Sequence, residues 1–266
     1  MIRFFAPVLL AFFMIASNAA AHDTSIEDLL TVAEDSNFES TATSAEVVEF
    51  VEACASAAPH VRKHVFGQTV EGRDMVAAVV STEPYVPGDE TDQLVSLVFA
   101  NIHSGECCGK EALLMLLREL TANPDHPWLE KMVVVLVPNY NADANDRMGP
   151  NNRPGQVGPV NGMGRRENAQ ELDLNRDFGK LESPEARSLI SLMTLCDPDI
   201  TIDCHTTNGS QQQYALTYAV PVNPACSQPL RDFMRNKMMP EVTETMEQKD
   251  WLLSTTETSI RNATVG

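Results

Sequence analysis

From Leu94 to Ala100 the chain reads Leu-Val-Ser-Leu-Val-Phe-Ala, and from Met132 it reads Met-Val-Val-Val-Leu-Val-Pro. Runs this short, apolar and rich in β-branched residues predict strands buried on both faces, because a strand with one wet face alternates instead. Residues 61–66 and 75–81 flank the turn segment Gln68-Thr69-Val70-Glu71-Gly72-Arg73 and predict a hairpin. Residues 200–203 and 213–219 read as two further short strands. Elsewhere the apolar period becomes helical. Ser44–Ala57 sets Val47, Val48, Val51 and Cys54 along one side, with Ser44 as its expected cap. Residues 112–120 carry Leu113, Leu114, Leu116, Leu117 and Leu120. Ser183 and Pro184 open a helix running to about Leu195. Residues 229–248 are helical, with Met and Leu at mixed spacing. Strands alternating with helices predict an α/β fold whose central, partly parallel sheet is covered on both faces.

Two regions break this pattern. Residues 139–181 are rich in Asn, Asp, Gly, Pro and Arg and lack periodicity, and a connection of that length inside a domain is usually functional or disordered. The amino end has a short basic lead, an apolar run over residues 4–16 and the small residues Ser17-Asn18-Ala19-Ala20-Ala21. That is the form of a cleavable export signal and is too short for a comfortable membrane span. The expected organisation is a signal peptide over 1–21, a lead over 22–43 and one catalytic domain over 44–266. Its expected place is secreted or periplasmic, with no membrane contact after cleavage. A formal charge of −18 disfavours nucleic acid and anionic lipid as partners. The six cysteines form no small-scaffold framework, so mostly buried thiols and at most one or two disulfides are expected.

Candidate chemistry sits where strands end. His103 and Glu106, in Asn101-Ile102-His103-Ser104-Gly105-Glu106, occupy the turn between a predicted strand and a predicted helix. His205 follows the strand Ile200-Thr201-Ile202-Asp203-Cys204. Ligands of open α/β sheets collect beyond the carboxyl ends of strands. Two His and one carboxylate leave a fourth position open on a divalent metal, as a hydrolytic zinc requires. Within the long loop, the arginines Arg165, Arg166 and Arg176 suggest recognition of a carboxylate, since guanidinium binds carboxylate as a bidentate fork. Ion pairing with Glu167, Glu171 or Asp177 is the alternative.

His-Ser-Gly-Glu at 103–106, Arg166, Asp-Leu-Asn-Arg-Asp-Phe at 173–178 and Asp-Cys-His-Thr at 203–206 occur in an order and spacing that resemble the zinc metallocarboxypeptidases of the carboxypeptidase A type. The match spans residues 44–218. The resemblance implies a mixed, twisted, eight-stranded central sheet between helices, and one zinc ion per chain held by His103, Glu106 and His205. It makes Asn175 and Arg176 the clamp on a substrate's terminal carboxylate, and Arg166 the group that polarises the scissile carbonyl. It gives Asp173 the task of orienting the first His ligand. The implied partner is a peptide with a free C-terminal carboxylate. The chain departs from the family after His205, where no Glu lies in an apolar strand. Glu241, Glu244 and Glu247 fall on a predicted helix and Glu257 in a Ser/Thr-rich tail. The general base is therefore unassigned, and the expectation is a domain lacking its last strands, the front part of a longer chain. Three alternatives stay open: an N-acyl-amino-acid deacylase, a cell-wall peptide amidase on the same scaffold, and an inactive zinc- or peptide-binding protein.

Overall fold

The strand Met132–Val137 has both faces buried because the sheet that holds it is covered on both sides. The computed structural model describes residues 25–206, 214, 216–221 and 223–255. In chain order these form a 3₁₀ turn at Ile26–Asp28, α1 (Val32–Asp35), α2 (Ser44–Ala57), β1 (Val61–Gln68), β2 (Asp74–Val80) and β3 (Leu94–Ala100). Next come α3 (Cys107–Ala122), β4 (Met132–Val137), α4 (Ala142–Asp146), a 3₁₀ turn at Leu174–Arg176, α5 (Pro184–Cys196) and β5 (Ile200–Cys204). These elements belong to one compact unit, residues up to 154 together with 158–206. Its sheet runs β1-β2-β4-β3-β5. β1 and β2 form the expected antiparallel hairpin, and β2 pairs antiparallel with β4. β3 runs parallel to both β4 and β5.

Alternation along the strands divides the core into two layers. Val98 and Ala100 of β3, with Val134 and Leu136 of β4, pack beneath Val47, Val51 and Cys54 of α2 and Leu113, Leu114 and Leu117 of α3. Val95, Leu97 and Phe99, with Val133, Val135 and Val137, face Leu189 and Leu192 of α5 on the other side. Successive side chains of a strand point to opposite faces, so an interior strand with two covered faces favours apolar residues at every position, and Ser96 is the one polar residue of β3 and β4.

Where local chemistry decides an end, the structure refines the reading. Helix α2 spans the expected residues, but its N-cap is Thr43, whose side chain and that of Glu46 form a reciprocal capping box. Ser44 is the first helical residue, and its hydroxyl donates to the Ala142 carbonyl at 2.9 Å. Residues 139–181, the aperiodic connection of the sequence, hold α4, the 3₁₀ turn at Leu174–Arg176 and a bridge between Gly149 and Met163. All six cysteines are free thiols, and only Cys54 and Cys196 are buried. Of the strand expected at 213–219, the described part is β6 (Leu216–Tyr218). The expected export signal and Glu257 lie outside the described residues.

The second unit comprises residues 155–157 and the chain from 207 onward. It pairs β6 in parallel with β7 (Leu253–Thr255), and holds α6 (Gln228–Phe233), a π turn at Met234–Met238 and α7 (Met239–Glu247). Among the described residues no helix is long and apolar enough to cross a membrane.

Two carboxylates of the described residues tie down the segment before α2: Glu111, which accepts from Thr41 and Ala42, and Glu34. Glu34 accepts from Arg118 of α3 through both oxygens, at 2.6 and 2.7 Å, and from the Thr31 amide at 2.9 Å in a second capping box. The Arg118 hydrogen bonds, set against a smaller burial penalty, hold its pKa down at about 2. A carboxyl depressed in the folded state stabilises the fold above its unfolded pKa, and that contribution disappears as pH falls through the folded value. Glu34→Gln is expected to destabilise the protein by about 1–2 kcal/mol at pH 7, allowing for partial exposure of the pair. Urea titrations at pH 7 and pH 2.5 check this: the difference between variant and parent should shrink towards the acid end.

Candidate active site

Because β3 and β5 are parallel neighbours in the register Ala100 to Cys204, their chains emerge side by side from one edge of the sheet. His103 leaves β3 and His205 leaves β5 at that edge, and their ring centroids stand 5.3 Å apart. Glu106 is the N-cap of α3, one turn on from His103. Each of the three offers a ligand atom within 4.8 Å of the others. The structure therefore brings together the three side chains that the sequence set 102 positions apart at most, and among the described residues no cysteine joins them.

Buried amides hold the turn in place. Asn101 sits in the left-handed region at φ 62°, which Asn tolerates better than most residues. Its side-chain amide donates to Asn139 Oδ1 at 2.8 Å and Asn145 Oδ1 at 3.0 Å. Ser104 donates to the Asn141 carbonyl at 2.7 Å, and Asn141 donates to the Ile102 carbonyl at 3.1 Å. Lys110, fully buried on α3, donates to Asn145 Oδ1 at 2.8 Å and also to the Ala42 carbonyl. Burial pushes the Lys110 ammonium below its ordinary pKa.

Each imidazole lies between two carboxylates. His103 places Nδ1 3.0 Å from Glu106 Oε1 and Nε2 2.9 Å from Asp173 Oδ1. His205 places Nδ1 2.8 Å from Glu106 Oε2 and Nε2 2.9 Å from Asp203 Oδ2. A neutral ring has one N–H, so it satisfies one of its two carboxylates and turns a lone pair on the other. With the Nε2 protons given to Asp173 and Asp203, two nitrogen lone pairs and a carboxylate converge on one point. That arrangement is repulsive unless protons or a cation stand between them. Two nitrogens and one oxygen also suit zinc, with carboxylates behind the rings to fix the tautomer.

The ionisation of the group carries the same signature. Burial alone would raise the Glu106 pKa, but hydrogen bonds from His103, His205 and Arg153 hold the carboxyl well below the usual range. Burial alone would lower that of His205, yet Asp203 and Glu106 raise it to about 9.

The remaining candidates fall unevenly. Arg166 donates Nη2–H to Asp173 Oδ2 at 2.9 Å, so one carboxylate joins the first His to an arginine. Asp173 also accepts from the Asn175 amide at 3.0 Å, capping the 3₁₀ turn at Leu174–Arg176. Arg176 is exposed, and its Nη1 donates to the Asn175 carbonyl at 2.9 Å. Three contributors escaped the sequence reading. Asp203 stands two residues before His205 on a strand, a same-face spacing that could have marked it. The Thr206 amide donates to Glu106 Oε2 at 3.1 Å, and Arg153 donates to Glu106 Oε1 at 3.0 Å. Nothing local in the sequence marks Arg153, which reaches the group from within the aperiodic loop.

In the metal-free chain the His205 imidazole should titrate near pH 9, and Asp203→Asn should bring it back towards the ordinary 6.5. Because the folded value is raised, the stabilisation is complete below about pH 6.5 and is lost as pH rises through 9. Imidazole proton shifts followed by NMR against pH, in parent and variant, read this directly.

Comparison with known proteins bears on the family and the fold. The family model described as zinc carboxypeptidase matches residues 47–248. Human carboxypeptidase Z is 30% identical over 146 residues, a stretch covering 52% of this chain and 22% of the human protein. The chain thus matches only about a fifth of that relative's length. Bovine thrombin-activatable fibrinolysis inhibitor, solved in complex with a tick carboxypeptidase inhibitor, superposes with a TM-score of 0.62 at 16% identity. That likeness covers 82% of this chain and 77% of the bovine one. A metallo-carboxypeptidase from Burkholderia cenocepacia superposes with a TM-score of 0.58 at 18% identity, covering 79% and 52% of the two chains. The mixed sheet with helices on both faces is the fold of these carboxypeptidases, and the chain belongs to the zinc carboxypeptidase family.

Proposed function

We propose that this chain carries the zinc centre of an exported metallocarboxypeptidase, which hydrolyses the C-terminal bond of peptides bearing a free carboxylate. The observation that carries the reading is the pair of imidazoles facing the two oxygens of one buried carboxylate, each with a second carboxylate behind it. His103, Glu106 and His205 would hold one zinc ion. A bound zinc supplies Lewis acidity at the scissile carbonyl and a water acidified towards neutral pH.

The chain's own residues do the rest. Asp173 and Asp203 accept the Nε2 protons, which keeps both Nδ1 lone pairs directed at the centre. Arg166, braced by Asp173, presents N–H donors to the oxyanion that develops on the carbonyl. Asn175 and the exposed Arg176 receive the terminal carboxylate; a charged hydrogen bond of this kind contributes about 1.5–3 kcal/mol. No general-base role is given to Glu241, Glu244 or Glu247, which lie on α7. Residues 1–21 would direct export, and residues 44–266 would form the catalytic domain.

Hydrolysis of an N-blocked dipeptide with a free carboxyl end, against its C-terminal amide, tests the reading. The free acid should be cleaved in a zinc-dependent manner and the amide left intact. Cleavage of both alike, or activity that survives removal of all metal, contradicts it. Preference for N-acyl amino acids over peptides would move the chain to the deacylase alternative. Arg176→Ala should raise KM for the free acid about tenfold to a hundredfold with the smaller effect on kcat, as loss of a uniform binding contact predicts.

A further inference from the structure

Glu106 has four partners of two kinds. Oε1 meets His103 Nδ1 and Arg153 Nη2, and Oε2 meets His205 Nδ1 and the Thr206 amide. An imidazole nitrogen that gives its lone pair to a cation cannot also share a proton with the carboxylate, so both His contacts are exchanged when a metal enters. A guanidinium and a backbone amide are donors only. Their hold on Glu106 is equally compatible with a metal-free and a metal-bound centre.

Arg153 is built into this position. Its side chain is 8% exposed. Its stem crosses the turn at Gly105, where a Cβ would come within 2.8 Å of Arg153 Cγ. Gly105 also has φ +133°, so the glycine of His103-Ser-Gly-Glu106 is required twice, by the backbone and by the arginine passing over it. The second amino group, Nη1, is buried without a hydrogen-bond partner among the described residues. A desolvated guanidinium with one unpartnered amino group weakens a fold rather than strengthening it, which argues that the residue serves the site.

We propose that Arg153 is a positioning residue of the metal centre: with the Thr206 amide it fixes the Glu106 carboxylate in its liganding orientation before the cation arrives. This rests on the zinc reading given above. Two effects of Arg153 oppose each other. Its fixed positive charge repels an incoming cation, whereas its hydrogen bond spares Glu106 from being ordered by the metal. Groups that orient metal ligands usually change affinity by about 10–100-fold when removed, and the loss on removal says that orientation outweighs repulsion.

The test compares parent, Arg153→Gln and Arg153→Lys as full chains, stripped of metal and checked for folding by circular dichroism. Zinc dissociation constants come from competition with a chromophoric chelator, and coordination from the visible spectrum after cobalt substitution. Arg153→Gln should bind one zinc about 10–100-fold more weakly, with a changed cobalt spectrum, and Arg153→Lys should recover much of the affinity. Unchanged affinity and spectrum in folded Arg153→Gln, or tighter binding from relieved repulsion, overturns the role of Arg153 alone. A parent chain that takes up no zinc overturns the centre itself and this role with it. Should Arg153→Gln not fold, guanidinium N–H signals in the parent decide, assigned by their absence from Arg153→Lys. They should stay protected from solvent exchange when zinc is added, and their loss contradicts the proposal.

Discussion

One buried carboxylate, Glu106, organises the edge of the sheet on which this chain's chemistry depends. It is 2% exposed, and it receives two imidazoles, a guanidinium and a backbone amide. An ion so desolvated is tolerable only when its neighbours supply compensating charge and donors. Those neighbours arrive from distant parts of the chain, so the parallel pairing of β3 with β5 is what allows the site to exist. The apolar continuity of β3 and β4 is thus a requirement of the site as much as of the core.

Around that carboxylate the charges alternate outward. Asp173 and Asp203 stand behind the two imidazoles, and Arg166 stands behind Asp173. Each group fixes the protonation or orientation of the one inside it, so a change in an outer residue reaches the centre without touching it. Beneath the turn, Asn101 joins the side chains of Asn139 and Asn145, Asn141 donates to the Ile102 carbonyl, and Asn145 accepts from Lys110 and donates to the Ala42 carbonyl. This explains the Asn-rich composition that follows β4: those side chains are internal hydrogen-bonding groups of a tight, buried turn.

Much of this was legible in the residues. Leu94–Ala100 and Ser44–Ala57 are found at the bounds that their apolar periods predict, because burial pattern and element coincide there. His103, Glu106 and His205 could be singled out because two lie on one turn and the third ends a strand of the same sheet. The cap of α2 was misplaced by one residue, since Thr43 and Ser44 are both good caps and only the reciprocal bond to Glu46 decides between them. Arg153 was invisible for a different reason: its partner Glu106 lies 47 positions away, and the intervening loop has no period that fixes which residue faces inward. Asp203 was visible in principle, but its role emerges only when Nε2 of His205 is seen to point back along the strand.

X-ray absorption at the zinc edge of the purified chain reads the ligands of the centre at His103, Glu106 and His205. One zinc per chain is expected, with two imidazole nitrogens and carboxylate oxygen in its shell and the imidazole scattering halved in His205→Ala. A sulfur shell from Cys107, Cys108 or Cys204, or a chain that folds and binds no zinc, would contradict it.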